Sequence, residues 1–317
     1  MQPRIGAVVV TYHPDLDRLR ASLGRLVPQT ERVVVIDNGS SCVGDLQALV
    51  ATFRTVELVP LDKNVGIATG FNVGIDRLAR GGPVPNWVLT MDQDSLLHEG
   101  AVATMLADLD RLGGGTSQRF GIVGARWSTA PPPDEVEVSR PISYLRRRAD
   151  AADDLGPVGE FHRRHRTISS GSLIRGEVLE SVRFRDELFI DQVDTAFCFD
   201  ASRLGWVVAE TDAVLMDHRI GVSVERRGST RSYENGQRLY YIARNSTYLA
   251  LRGVLHPIMY LVDVAAVCRS YVFAHGRRSV PGCLAIVLVG VLDGLTGRLG
   301  RREYRFVDRE VKRYATR

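Results

Sequence analysis

"NWVLTMDQDSLLHEG" (Asn86–Gly100) is an apolar run that ends in two carboxylates one residue apart. Val88, Leu89 and Met91 have the character of a buried strand, yet Asp92 and Asp94 follow at once. Buried carboxylates are costly unless they are paired, hydrogen-bonded or bound to a metal. The rest of the chain decides which of these applies.

Three strand–helix units come before it. "IGAVVV" (Ile5–Val10) is a fully apolar strand, and Leu16, Leu19, Leu23 and Leu26 then recur at helical spacing before Pro28. "RVVVID" (Arg32–Asp37) is a second strand closed by "NGSS", and "VELVP" (Val56–Pro60) is a third. A helix over roughly 68–80 leads into "NWVLTM"; a helix near 101–112 and the strand "FGIVGA" (Phe120–Ala125) follow it. Buried strands alternating with helices predict an α/β fold: a mainly parallel, Rossmann-like sheet flanked by helices. Between Ser128 and Gly159 the pattern dissolves into what reads as a long surface loop. Short strands and one helix over 161–213 suggest a mixed second half of the same sheet. The last hundred or so residues read as mostly helical, through "GQRLYYIARNSTYLALR", "LHPIMYLVDVAAVCRSYVF" and "CLAIVLVGVLDGL" to a charged terminal helix. A catalytic domain over 1–220 and a helical C-terminal region over 221–317 are expected.

The 317 residues are 44% hydrophobic and 25% charged, which excludes a disordered chain. The formal charge of +4 is uneven, concentrated in "YLRRR", "FHRRHR", "ERRGSTR" and the tail from Arg298. Such clusters suit phosphates, nucleic acid or acidic lipid headgroups, or are only solvated surface. Cys42, Cys198, Cys268 and Cys283 show no CxxC spacing, consistent with a reducing compartment. No signal peptide is read at the start. The longest apolar run, Cys283–Leu292, falls short of the roughly 20 residues that cross a bilayer. A soluble or peripheral protein is expected.

In an open α/β sheet, ligands bind beyond the carboxyl ends of the strands. Thr11-Tyr12, Asp37-Asn38, Lys63-Asn64 and Asp92-Gln93-Asp94 stand at four successive strand ends. Asp37–Ser40 alone could be no more than a turn; four such ends together point to a site. "NVGIATGFNVG" (Asn64–Gly74) opens a helix with small residues that permit close approach of a ligand, at an end that favours anions. A dinucleotide fingerprint would instead follow the first strand, which here runs into "TYHP". For Asp92 and Asp94 three readings stand: a helix cap, a phosphatase nucleophile pair, or oxygen ligands for a cation carrying a nucleotide diphosphate. The phosphatase motif of the haloacid-dehalogenase type follows a first strand, whereas three units precede this one.

Taken together, "VVVTYHP", "VIDNGS", "NVGIATGFNVG" and "TMDQDS", in this order, resemble glycosyltransferase family 2, which has the GT-A fold, and within it the bacterial rhamnosyltransferases. "SSGSLIRGEVLESVRFRDELFIDQVDTAFCF", "MDHRIG" and "RLYYIARNSTYL" extend the resemblance over nearly the whole chain, the Ser128–Gly159 stretch excepted. It implies that Thr11, Tyr12 and Asp37 hold nucleobase and ribose, and that Lys63, Asn64, Gly66 and Asn72 line the nucleotide, with Gln93 beside them. It implies Asp92 at ribose or metal, Asp94 as principal ligand of Mg2+ or Mn2+, and His218 completing the coordination. Ser170 and Gly171 would lie where donor and acceptor surfaces meet.

Inverting sugar transfer needs a base for the acceptor hydroxyl. "FIDQVDTAFC" offers Asp191 and Asp194, three apart at what reads as a helix start, so that both face one cleft. The family pattern puts the base at Asp194, with Asp191 orienting it or the acceptor; both could instead merely complement the helix dipole. After the base the family carries acidic-x-x-x-Arg, but here Ala196 and Asp200 stand there, so Arg203, Arg226 or Arg244 is a candidate to meet the diphosphate. The expectation is an inverting transferase moving L-rhamnose from dTDP-rhamnose to a cell-surface glycan acceptor, polyprenyl-diphosphate-linked, at the cytoplasmic side of the membrane. The other readings are a UDP-sugar-dependent galactofuranosyl- or hexosyltransferase and a non-catalytic sugar-nucleotide-binding protein. Arginine-flanked apolar helices suggest peripheral membrane contact, or are helices packed onto the catalytic domain; no nucleic-acid partner is expected, and an oligomer is left open.

Overall fold

In the computed structural model the described residues are 3–128, 153–218, 222–226, 229–233 and 236–307, with 222–226 and 229–233 as backbone alone. The order is β1 (Ile5–Thr11), α1 (Leu16–Leu26), β2 (Arg32–Asp37), α2 (Val43–Val50), β3 (Val56–Pro60), α3 (Ile67–Leu78), β4 (Trp87–Asp92) and β5 (Leu96–Leu97). There follow α4 (Ala101–Arg111), α5 (Gly114–Ser117), β6 (Phe120–Ser128), β7 (Asp154–Val158), β8 (Phe161–Arg164), β9 (Ser172–Arg175), α6 (Gly176–Ser181), α7 (Val193–Arg203) and β10 (Val207–Asp217). The hairpin β11 (Val222–Arg226) and β12 (Ser229–Tyr233) leads to α8 (Gly236–Ala250), α9 (Pro257–His275) and α10 (Val280–Thr296). Two compact units result. One holds the described residues up to 128 with 154–186 and 193–218; the other holds 153, 187–192 and the described residues from 222.

The first unit is one sheet in the order β3-β2-β1-β4-β9-β6-β10-β8-β7, with β5 paired to β10. It is parallel from β3 through β4, as the alternating pattern predicts. Beyond β4 it is mixed: β9 runs antiparallel to both β4 and β6, while β6 and β10 are parallel. The end of the stretch read as a surface loop is strand β7, paired with β8 at the sheet edge; 129–152 lie outside the described residues. Val33, Val35, Ala7, Val9, Leu89 and Met91 alternate onto one face, where Leu19, Leu23 and Leu46 cover them. Asp15 starts α1 by accepting from the Asp17 and Arg18 amides.

Two of the glycines of "NVGIATGFNVG" face a strand. A Cβ at Gly70 would lie 2.9 Å from Val10 Cγ1, and one at Gly74 2.2 Å from Val8 Cγ1. They let α3 lie against β1. Gly74→Val should therefore destabilise the protein by about 1–3 kcal/mol through overpacking, read as a lower midpoint in chemical denaturation.

In the second unit α10 approaches α8 through Gly290 and Gly294, whose Cβ atoms would lie 2.7 Å from Tyr240 O and 2.5 Å from Arg244 O. Asp293, on the same face, accepts hydrogen bonds from the Tyr240 and Tyr304 hydroxyls at 2.7 and 2.5 Å. Burial, then the bond to Asp293, pushes the Tyr240 hydroxyl above the usual phenol range. Counting only the uninterrupted apolar run understated the C-terminal helices. Pro257–His275 and Arg277–Thr296, of 19 and 20 residues, are long and apolar enough to cross a membrane by length and composition. A helix tolerates an Asp263 or an Arg269 that breaks a run in sequence. The charged terminal helix falls mostly in 308–317, outside the described residues.

Candidate active site

The site forms where β1, β2 and β4 end together, since Thr11 pairs with Asp37 and Val10 with Asp92. Gln93 clasps the end of β1: its Oε1 accepts from the Tyr12 amide at 2.7 Å and its Nε2 donates to Tyr12 O at 3.3 Å. Tyr12 itself is left 44% exposed. The "DNGS" stretch is a real turn. Asp37 Oδ2 accepts from the Ser40 amide at 3.0 Å, and Oδ1 accepts from the Ser40 hydroxyl at 2.5 Å and the Thr11 hydroxyl at 3.3 Å. Thr11 and Asp37 are thus buried, and the Thr11 hydroxyl is spent inside the strand ends rather than offered to a ligand. Gly39, at φ +81°, passes within 2.8 Å (from an added Cβ) of the Lys63 backbone, a spacing only glycine tolerates. Asn38 Oδ1 accepts from the Val65 amide at 2.8 Å, and Asn64 Oδ1 from Gly66, which opens α3 at φ +93°. Lys63 is exposed and Asn64 half-buried.

Asp92, Asp94 and His218 come together: one ligand atom from each lies within 4.8 Å of the others. This is the one such trio of metal-ligating side chains among the described residues. Ligands at about 2.1 Å from one ion lie up to ~4.2 Å apart, so a small closure would fit a cation. Topology produces the encounter. The two residues of β5 pair antiparallel with β10, Leu97 with Met216 and Leu96 with Asp217. The next step of that register sets His218 opposite Ser95, directly after the Asp-x-Asp. His218 Nδ1 lies 2.7 Å from Ser95 Oγ; the Ser170 hydroxyl donates to Ser95 Oγ at 2.8 Å and accepts from the Asp92 amide at 3.0 Å. An imidazole that donates from Nδ1 keeps its lone pair on Nε2, the tautomer a metal needs. Arg18 Nε, donating to Asp94 O at 2.7 Å, pins the backbone just after the second carboxylate.

Two corrections belong here. Ser170 is fully buried behind the carboxylates, and Gly171 at φ +76° faces Met216 and Ala125, so neither lines a donor–acceptor surface. Ser95 was not foreseen: a serine after two aspartates carries no signal until β5 and β10 pair. Removing its hydroxyl (Ser95→Ala) should weaken divalent-cation affinity about 10–100-fold by loosening His218; isothermal titration with Mn2+ reads the change.

Asn72 also departs from expectation. Its Nδ2 donates to Phe184 O at 2.8 Å and Asp186 Oδ1 at 2.7 Å, and its Oδ1 accepts from the Phe184 amide at 3.1 Å. The amide is consumed in holding the 184–186 segment.

The pair in "FIDQVD" separates. α7 starts at Val193, so Asp194 lies in its first turn, half-buried, with Oδ1 accepting from the Thr195 amide at 2.8 Å. Asp191 precedes the helix at φ +65°, and it groups with the second unit while Asp194 belongs to the first. Phe189 and Gln192 are left-handed too, at φ +65° and +60°. Such backbone persists only where its surroundings over-determine it. Asn245 does so, its Nδ2 lying 2.8–3.0 Å from the Leu188, Ile190 and Asp191 carbonyls, and Arg238 donates to both Asp191 oxygens. A spacing of three therefore does not put both carboxylates on one helix.

The departures at Ala196 and Asp200 are absorbed by packing. Ala196 is fully buried, and Asp200 accepts two hydrogen bonds from Arg185 at 2.7 and 2.8 Å. Of the arginines considered for a diphosphate, Arg244 is excluded. It is fully buried and donates to Leu188 O, Gly300 O and Asn245 Oδ1. Arg203 is exposed, and the Arg226 side chain lies outside what is described.

Known proteins agree with this architecture. The family model for glycosyl transferase family 2 matches residues 7–170. The dTDP-rhamnosyl transferase RfbF of Shigella flexneri is 28% identical over 309 residues, covering 96% of this chain and 99% of its own. An N-acetylglucosaminyl-diphospho-decaprenol L-rhamnosyltransferase of Mycobacterium tuberculosis is 34% identical over 107 residues, 31% of this chain and 34% of that protein. A crystal structure of GalNAc-T7 with UDP, GalNAc and Mn2+ shares the fold at a TM-score of 0.52 and 10% identity, over 79% of this chain and 50% of that one. The parallel first half, the mixed second half and the carboxylates after β4 are the GT-A architecture, and the chain is a glycosyltransferase belonging to glycosyl transferase family 2.

Proposed function

We propose that this enzyme transfers L-rhamnose, with inversion, from dTDP-rhamnose to a glycan acceptor carried on a lipid diphosphate at the cytoplasmic face of a membrane. The full-length similarity to RfbF supports the donor, and the name of the mycobacterial relative supports a polyprenyl-diphosphate acceptor. The observation that carries the chemistry is the convergence of Asp92, Asp94 and His218 at the strand ends. Two carboxylates and one imidazole suit Mg2+ or Mn2+, which would supply positive charge to the leaving diphosphate.

The remaining work falls to the chain. Asp194 is the base that takes the proton of the acceptor hydroxyl as it attacks the anomeric carbon. Exposed Lys63 and Tyr12 meet the nucleotide, with Asn64 and Gly66 shaping the loop beneath it. Asp37 holds the turn at the edge where the base or ribose would lie. Asp191, held by Arg238, sets the backbone that leads into Asp194. Residues 1–220 are proposed as the nucleotide-sugar-binding and catalytic domain, and 221–317 as a region serving the acceptor. A thermal-shift panel of dTDP, UDP and GDP and their sugars, with and without Mn2+, tests the donor. The dTDP ligands should stabilise most, and only with the cation; preferential stabilisation by UDP-sugars would overturn the rhamnosyl reading.

A further inference from the structure

The second unit carries a helix whose sides are reversed relative to an aqueous surface. On α10 the buried positions are Cys283, Ile286, Gly290, Asp293 and Gly294, mostly small or polar. Ile286 packs inward, but all four leucines point the other way: Leu284, Leu288, Leu292 and Leu295 are 61%, 59%, 50% and 54% exposed. Steps of four, four and three residues put them within about 80° of one helix face, a stripe roughly 16 Å long. Val280 extends it at 37% exposed. A soluble helix places its leucines inward and its polar groups outward. Here the inward face is committed, with glycines against the α8 backbone and Asp293 against two tyrosines.

Charge says what meets the outward face. Exposed Arg277 and Arg278 stand just before the stripe, and exposed Arg298 and Arg302 just after it, with Arg301 paired to Glu303 at 2.6 Å. Acidic side chains do not interrupt it, since Asp293 is turned inward and buried. Leucines bracketed by arginines match a bilayer with an anionic surface: apolar chains below, phosphates at either end. A second copy of this chain would instead have to set arginine clusters against its own or find acidic patches opposite them.

We infer that α10 is a membrane-docking helix that lies in the plane of an anionic bilayer, its leucine face in the acyl boundary and its flanking arginines on lipid phosphates. Because the opposite face is packed on α8 by backbone contact, the helix docks by one side. This gives the proposed lipid-linked acceptor a surface to approach from, yet it stands on the second unit alone and needs no donor or turnover.

The test is flotation of the full-length protein with vesicles of phosphatidylcholine alone or with added phosphatidylglycerol, with no sugar nucleotide present. The wild type should float with the anionic vesicles, and less so as salt rises. The Leu284→Gln/Leu288→Gln/Leu292→Gln variant should bind them about tenfold more weakly or worse, and Arg277→Gln/Arg278→Gln/Arg298→Gln/Arg302→Gln should lose the preference for anionic lipid. A wild type that ignores both vesicles, or a leucine variant that floats unchanged, overturns the inference. So does a wild-type dimer, by light scattering, that the leucine substitutions dissolve, for then a second copy covers the face. If the leucine variant melts early, the arginine variant decides alone: retained lipid preference overturns the inference, and equal partition supports it. A failed flotation leaves the sugar-nucleotide reading intact, and a failed thermal-shift panel leaves this one intact.

Discussion

Asp194→Asn should lower kcat by about 10²–10⁴-fold, the usual contribution of a positioned general base, while donor affinity stays within a factor of about two. That loss corresponds to roughly 2.7–5.4 kcal/mol of transition-state stabilisation. The substitution is close to isosteric. An asparagine Oδ1 can still accept from the Thr195 amide, so the first turn of α7 keeps its cap. Binding of dTDP followed by titration calorimetry, beside turnover with a lipid-diphosphate glycan, separates the two effects. Full turnover in the variant would move the base elsewhere. Asp191→Asn should behave differently, because that carboxylate is paired with Arg238 and 6% exposed. Its loss should cost about 1–3 kcal/mol of stability, appearing first as a lower melting temperature.

Asp94→Ala should remove the cation-dependent part of nucleotide binding. A ligand at a hundred times its dissociation constant stabilises the native state by about 2.7 kcal/mol. With Mn2+, dTDP should thus raise the wild-type melting temperature by several degrees, at about 2–4 °C per kcal/mol. The variant should show almost none of that shift, and the same melting temperature as wild type when no ligand is present. Equal dTDP affinity with and without Mn2+ in the wild type, or an undiminished shift in the variant, would refute the assignment of Asp94. Ser95→Ala should fall between the two, since the serine touches His218 and not the cation.

The alternation of apolar runs with helical spacing was enough to place β1–β4 and their helices, because β1, β2 and β4 bury both faces and each helix one. Local composition says nothing about direction beyond that point. β9, of four residues, sits antiparallel between β4 and β6, a choice made by which edges remain unpaired. Glycine spacing in "NVGIATGFNVG" marked a close approach correctly but not its partner: Gly70 and Gly74 meet β1. Whether a small residue faces a ligand or a strand is a property of the neighbour, which lies sixty residues away in sequence.

By itself, the order of motifs determined the family, the fold and the two acidic clusters, because chemistry at strand ends follows from where apolar runs stop. The tertiary structure decided which polar groups face outward. It buried Thr11 and Ser170, spent Asn72 and Arg244 on backbone carbonyls, and joined Ser95 to His218 across 123 residues. It also turned four leucines of α10 away from the protein. A side chain's type states what it can bond, and only packing, which must satisfy each buried donor and acceptor at once, settles what it does bond.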